Sequence, residues 1–150
     1  MKIQEGEVFA IKTKIGFGFL QYIKPDELGV EIVRVLETIK KSNELSQEEV
    51  DIPERFTVHF VAKAALNRKL ILRTGVYKIP KYYRVPTKAR EKHMIRGQFF
   101  GWHIVDQKTL KRKLKKELSP NDLKLPPHGY PNDTLLIEYL ESDWRLENWK

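Results

Sequence analysis

Residues 6–24, GEVFAIKTKIGFGFLQYIK, constrain the fold more than any other stretch of the chain. An apolar run at 8–11 follows a glycine flanked by acids. After a polar break, Phe17, Phe19 and Ile23 fall on one side of a period-two pattern, with Leu20 and Tyr22 on the other. Such alternation marks strands with buried faces, so the stretch predicts two strands and a tight turn. Gly16 and Gly18 sit where a bend or a close backbone approach is expected. The GFGF spacing also raises a phosphate loop, but the helix start and the rest of a dinucleotide fingerprint are missing. A curved hairpin opening a small sheet or barrel accounts for the stretch better.

The remaining chain continues in the same style. A turn signal, PDELG at 25–29, precedes a β-branched run, VEIVRVL at 30–36, which predicts a third strand. Residues 39–53 read mostly as loop, with Ser46 and Glu49 spaced for a capping box and Pro53 to stop the turn they start. Phe56, Val58 and Phe60 alternate with polar neighbours as a fourth strand. A single helical turn is expected over 62–69 and a short strand at 70–72, with Gly75 breaking the pattern. Prolines at 80 and 86 restrict 76–86 to extended segments or edges, and 88–97 reads as a charged connection. Alternation returns at 99–106, FFGWHIVD, and places Phe100, Trp102 and Ile104 on one face. Residues 108–118, KTLKRKLKKEL, predict a helix, with Leu110, Leu114 and Leu118 as a narrow apolar stripe. After the proline-rich loop LPPHGY at 125–130, Asn132 or Asp133 caps a last helix whose Leu135, Leu136, Tyr139 and Leu140 face the core. Trp144 and Trp149 are expected to seal a sheet edge. Early strands and late helices predict an α+β fold: one domain over 1–150, with a curved antiparallel sheet or small β-barrel and two C-terminal helices.

Charge narrows the function. The net charge of +8 is unevenly spread. Residues 1–54 sum to −4, residues 55–118 to +15 and residues 119–150 to −3. A field of that strength in the middle of the chain favours an acidic partner, protein or nucleic acid. The candidate partner-binding residues are Lys111, Arg112, Lys115 and Lys116 on the predicted helix, then Tyr82 and Arg84. As a nucleic-acid module, the helix would contact phosphates, with tyrosines near 82 stacking on bases. The absence of cysteine excludes disulfides and thiolate metal sites and suits a reducing compartment. No apolar run is long enough for a signal peptide or a membrane span, so a cytoplasmic protein without membrane attachment is expected.

Chemistry has little to build on. None of the four histidines makes an HExxH pair or another close metal-ligand spacing. His59 and His103 share outward parity on their strands, so they could meet on one sheet face and, with a carboxylate, hold a metal. No serine sits in a nucleophile elbow. No catalytic residue, metal ligand or cofactor is therefore assigned, and a binding protein is expected before an enzyme.

The opening EGEVFAIK…GFGFLQYI resembles the start of the immunity protein 26 family, and GWHIVD, LPPHGYPNDT and LLIEYLESDW resemble its C-terminal half. The resemblance runs along nearly the full chain. It implies a bacterial cytoplasmic protein that binds and blocks a cognate toxin in a polymorphic toxin system. The basic region then implies a toxin with an acidic surface. The family also includes a small phosphotriesterase, which implies a metal-dependent hydrolase as an alternative, here with His59 and His103 as its only histidine pair on strands. Gly6, Phe9, Gly16, Gly18 and Trp102 match family positions that serve the fold, and no catalytic residue carries over.

Overall fold

A computed structural model describes residues 2–26 and 28–150. The opening hairpin forms as expected: β1 (Glu7–Thr13) pairs with β2 (Gly16–Pro25), Val8 opposite Gln21 through to Thr13 opposite Gly16. With β3 (Glu31–Val35), β4 (Phe56–His59) and β5 (Leu72–Val76) they make an antiparallel sheet of order β4-β3-β2-β1-β5. Two short helices, α1 (Gln47–Val50) and α2 (Ala62–Asn67), lie in the connections on either side of β4. A second antiparallel sheet, β6 (Lys88–Ile95), β7 (Gln98–Asp106) and β8 (Arg112–Lys115), precedes helix α3 (Asp133–Glu141). The fold is α+β, and of the two shapes expected the sheet takes the open one, with β4 and β5 as its outer strands.

The doubled alternation of β1 and β2 has a simple cause: both faces of the first sheet are covered. Phe9, Ile11, Leu20 and Tyr22 join Val33, Val35, Phe56 and Val58 under Leu136 and Leu140 of α3. Val8, Ala10 and Phe19 face the other way, against Leu36 and Val50. Each such side chain stabilises the fold by about 1.5–3 kcal/mol. The two glycines serve this packing. Gly16 has φ +130°, and a β-carbon there would meet the Lys40 carbonyl; one at Gly18 would strike Leu140 of α3. GFGF is thus a turn and a helix seat.

Local signals held where side chains bond the backbone. Ser46 Oγ accepts from Glu49 N (3.1 Å) and Glu49 accepts from Ser46 N (2.9 Å), a complete capping box. Asn132 Oδ1 accepts from Leu135 N (2.9 Å) and starts α3. Of the turn signal at 25–29, Glu27 lies outside the described residues; beside it, Asp26 Oδ1 accepts from Leu28 N and Val30 N, both at 2.8 Å. Two expectations fail. Gly75 lies inside β5, which starts at Leu72 and not at 70. The charged connection at 88–97 is the strand β6, whose charges conceal its period.

Arg34 on β3 is fully buried. It donates to Glu54 Oε1 (2.8 Å), Gln21 Oε1 (2.5 Å), Tyr82 Oη (3.0 Å) and the carbonyls of Val50 and Ile52 (3.2 Å each). One guanidinium therefore ties β2, β3, α1 and the loop at 82–83 together. Its planar fork has the donors to do so. Beside it Tyr83 Oη shares a hydrogen bond with Thr57 Oγ1 (2.8 Å).

Two predictions follow from this buried polar layer. Arg34→Leu leaves the Glu54 carboxylate and four further acceptors without the guanidinium donor and should cost about 3–5 kcal/mol in urea unfolding; a loss below 1 kcal/mol would show that water replaces the guanidinium. Burial pushes the Tyr83 hydroxyl up to about 12, from an ordinary 10.0. The neutral phenol is thus favoured in the fold, and its stability is intact below pH 10 and lost as pH rises toward 12. Relative to Tyr83→Phe, the parent protein should lose roughly 2–3 kcal/mol across that window.

Candidate interaction surface

The second sheet carries the basic residues, and it does so on strands. The helix expected over 108–118 does not form. Asp106 Oδ1 accepts from the backbone of Lys108 and Thr109 (2.9 Å each), Leu110 N donates to Asp106 O (2.8 Å), and Leu110 takes φ +62°. A left-handed residue ends any helix there. The chain turns back, and Arg112–Lys115 pairs with β7, Val105 opposite Arg112 and Trp102 opposite Lys115. Pairing with a hydrophobic neighbour strand outweighs helix propensity, which is worth only tenths of a kcal/mol per residue. Leu110, Leu114 and Leu118 consequently form no stripe.

Expected parity also changes within β7. Gly101 takes φ +121°, and a β-carbon there would lie 2.8 Å from the Lys115 carbonyl oxygen. The β6–β7 register slips between Lys92 and Met94 at this point. The bulge turns Phe100 away from Trp102 and Ile104. Phe100 packs near His93 (ring centroids 6.4 Å), and Phe99 takes the place beside Trp102 (5.8 Å). A tight turn at Arg96-Gly97, both with positive φ, joins the two strands.

One face of this sheet is clamped to the rest of the molecule through Arg90. Its guanidinium packs against the rings of Trp102 (4.7 Å) and Trp149 (4.4 Å), which meet edge to face, and donates to the carbonyls of Leu146 (2.7 Å), Leu123, Leu125 and Trp149. Burial pushes its pKa down to about 10. Trp149 packs on Trp144, and Trp144 on Phe56 of the first sheet (5.1 Å). The C-terminal tryptophans thus bridge the two sheets, beyond the edge-sealing role expected. Along the outer edge of β6, Arg90 N donates to Pro126 O (2.9 Å) and His128 N to Arg90 O (2.8 Å), so the LPPHGY loop closes that edge.

What stays open is the hairpin end. Met94, Ile95, Phe99, Phe100 and Leu114 are each about half exposed, at 47–51%. They sit among ten basic and two acidic residues over 88–116, a net of +8 that equals the charge of the whole chain.

The candidate site residues divide into two groups. Lys111, Arg112, Lys115 and Lys116 lie together on and beside β8. Arg112 Nε pairs with Glu91 (2.8 Å) and Lys115 Nζ with Asp122 (2.8 Å), whereas Lys111, Lys113 and Lys116 have no ion pair among the described residues. Tyr82 and Arg84 belong to the loop beside the first sheet. Tyr82 is engaged by Arg34, and Arg84 Nη1 donates to the carbonyls of Lys81 and Tyr83 (2.9 Å each). The sequence reading missed β6 and the exposed Met94, Ile95 and Phe99; the Arg-Gly pair at 96–97 was the available signal, a two-residue hairpin turn.

His59 and His103 do not share a sheet face: they lie on β4 of the first sheet and β7 of the second. His59 Nε2 lies 3.2 Å from Asp26 Oδ2 and stacks on Tyr130, and burial lowers its pKa. His103 sits 3.5 Å from Glu91 and packs on His93 (4.4 Å between rings). No group of three or more His, Asp or Glu placed to hold a metal occurs among the described residues. Clefts of about 450 and 510 Å³ run along the seam between the sheets, both bordered by Pro86, and no serine lines them. No helix among the described residues is long and apolar enough to cross a membrane.

No family model, curated protein or solved structure matches the chain.

The Arg90 clamp generates a prediction. Arg90→Met removes the guanidinium donors to four carbonyls, of which Leu146 O keeps Trp149 N, and should cost about 3 kcal/mol. Trp149 should also become exposed, read as a red shift in tryptophan emission. Arg90→Lys should recover little, since an ammonium cannot span the same acceptors.

Proposed function

We propose that this chain is an immunity protein that neutralises a toxin by one-to-one binding, with the open end of the second sheet as its contact surface. The observation that carries the reading is the cluster of half-exposed Met94, Ile95, Phe99, Phe100 and Leu114 inside a region of net charge +8. Protein interfaces combine these elements: apolar and aromatic anchors at the centre and charge at the rim. The anchors hold the complex, and the lysines speed encounter and reject wrongly charged partners. An acidic toxin surface is the complement. The immunity assignment itself, with its bacterial cytoplasmic setting, rests on the motifs of the first and last thirds of the chain. Binding of this kind needs no cofactor.

Protein is favoured over nucleic acid by the same side chains. Three of the five, Met94, Ile95 and Leu114, give bases nothing to stack on, which leaves the rings of Phe99 and Phe100 alone for that role. Trp102, the largest aromatic of the sheet, is buried. Arg112 and Lys115 already hold carboxylates, which reduces what is left for phosphates.

The test is capture from the native cells by the parent protein and by two variants. An acidic protein should co-purify at one-to-one ratio. The Lys111→Glu, Lys113→Glu, Lys116→Glu triple variant should associate with it about tenfold more slowly at low salt, and Phe99→Ser with Phe100→Ser should shorten the life of the complex. Nuclease-sensitive nucleic acid as the captured species would overturn the reading.

A further inference from the structure

The reading above leaves open how an acidic partner meets the second sheet, and the inference here rests on it. We infer that the partner docks by strand addition: an extended acidic segment joins β8 as a fourth strand of the sheet.

The backbone of β8 is prepared for this. Asp106 N donates to Lys111 O (2.9 Å), which fixes the phase of the β7–β8 ladder. In an antiparallel ladder, alternate residues direct N–H and C=O to the same neighbour. Lys113 and Lys115 therefore bond to β7, and Arg112 and Leu114 direct theirs outward. β8 pairs only with β7, and no hydrogen bond from the described residues reaches those outward groups. Other edges differ. The outer edge of β6 is closed by residues 126–128, and β4 faces Pro86 and Pro126 across the seam.

Side chains choose the occupant. The strand reads Arg-Lys-Leu-Lys. Lysines on an edge strand ordinarily prevent pairing with another copy, since like charges would be brought side by side. The same charges admit an acidic strand, so they select as well as protect. Lys113 and Lys115 point to the face of Trp102 and Ile104, and Arg112 and Leu114 to the face of His103 and Val105. Successive residues of an added strand alternate between these faces. Acidic residues at every second position would lie beside Lys113, which has no ion pair among the described residues, and beside Lys115, which is shared with Asp122; apolar ones between them would lie beside Leu114 and, across the sheet, Phe100. This pattern joins the exposed apolar cluster and the charge into one recognition element.

An eight-residue peptide alternating glutamate and valine, blocked at both ends, is the probe. It is titrated at low salt into the isotope-labelled full chain, with amide exchange followed by NMR. Exchange of the Arg112 and Leu114 amides should slow by about tenfold or more at saturation. The Lys113 and Lys115 amides, already bonded to β7, should not change. A lysine–valine peptide should not bind. Leu114→Pro, which removes an outward donor without touching the β7 ladder, should abolish binding with the first-sheet resonances unmoved. Peptide binding that leaves the Arg112 and Leu114 amides unprotected would overturn strand addition, as would no binding at millimolar peptide. The two readings separate cleanly: capture of an acidic protein that survives Leu114→Pro but is lost in the triple lysine variant would keep the acidic partner and remove the strand, whereas insensitivity to both would remove the acidic partner as well.

Discussion

The guanidinium of Arg90, set against two indoles that meet edge to face, is the contact on which the arrangement of the two sheets depends. It is a buried cation with no carboxylate in hydrogen-bond reach among the described residues, which costs several kcal/mol of desolvation unless the environment compensates. Four carbonyls and the faces of Trp102 and Trp149 do so. Three of those carbonyls belong to segments with little regular structure, at 123, 125 and 149. The arginine thereby orders the chain end, and the chain end carries the aromatic ladder through Trp144 to Phe56. Arg34 performs the same service for the first sheet. Two arginines from a very basic chain are spent inward, and each organises loops that have no backbone ladder of their own.

The rest of the positive charge is placed outward and concentrated. A net +8 over 88–116 is self-repulsive and only partly relieved by Glu91 and Asp122. Such a field lowers stability and adds nothing to packing. It lies beside five half-exposed apolar side chains, the combination on which the proposed recognition surface rests. Solubility alone would be served by charges scattered over both sheets and by an apolar end buried under a loop.

The first sheet was legible because its signals are local and agree with one another. Alternation in β1, β2 and β4, a capping box at Ser46, and an N-cap at Asn132 each specify one conformation, and burial on both faces explains why β2 reads as apolar on both parities. The second sheet was legible only at β7. In β6, charges occupy both faces because Arg90 is buried on tryptophan and Glu91, half-buried on the other face, holds Arg112, so no period-two contrast survives. The bulge at Gly101 then reverses parity within β7, and a strict alternation rule misassigns Phe100. His59 and His103 illustrate a different limit: equal parity on two strands says nothing when the strands belong to different sheets.

The misreading of 108–118 has a physical meaning of its own. Leucine, lysine and arginine are good helix formers, and the segment has no β-branched residue between Leu110 and Leu118. Its strand state is imposed by the Asp106 turn and by one ladder to β7. Natural sequences seldom set local preference against tertiary structure, and where they do a functional demand is commonly the reason. A four-residue strand held from one side, against its own propensity, is the least secured part of the sheet. Pairing from the second side would supply what it lacks. The conflict is therefore resolved most completely when β8 is an interior strand, which makes the bound state the one that this stretch of sequence fits best.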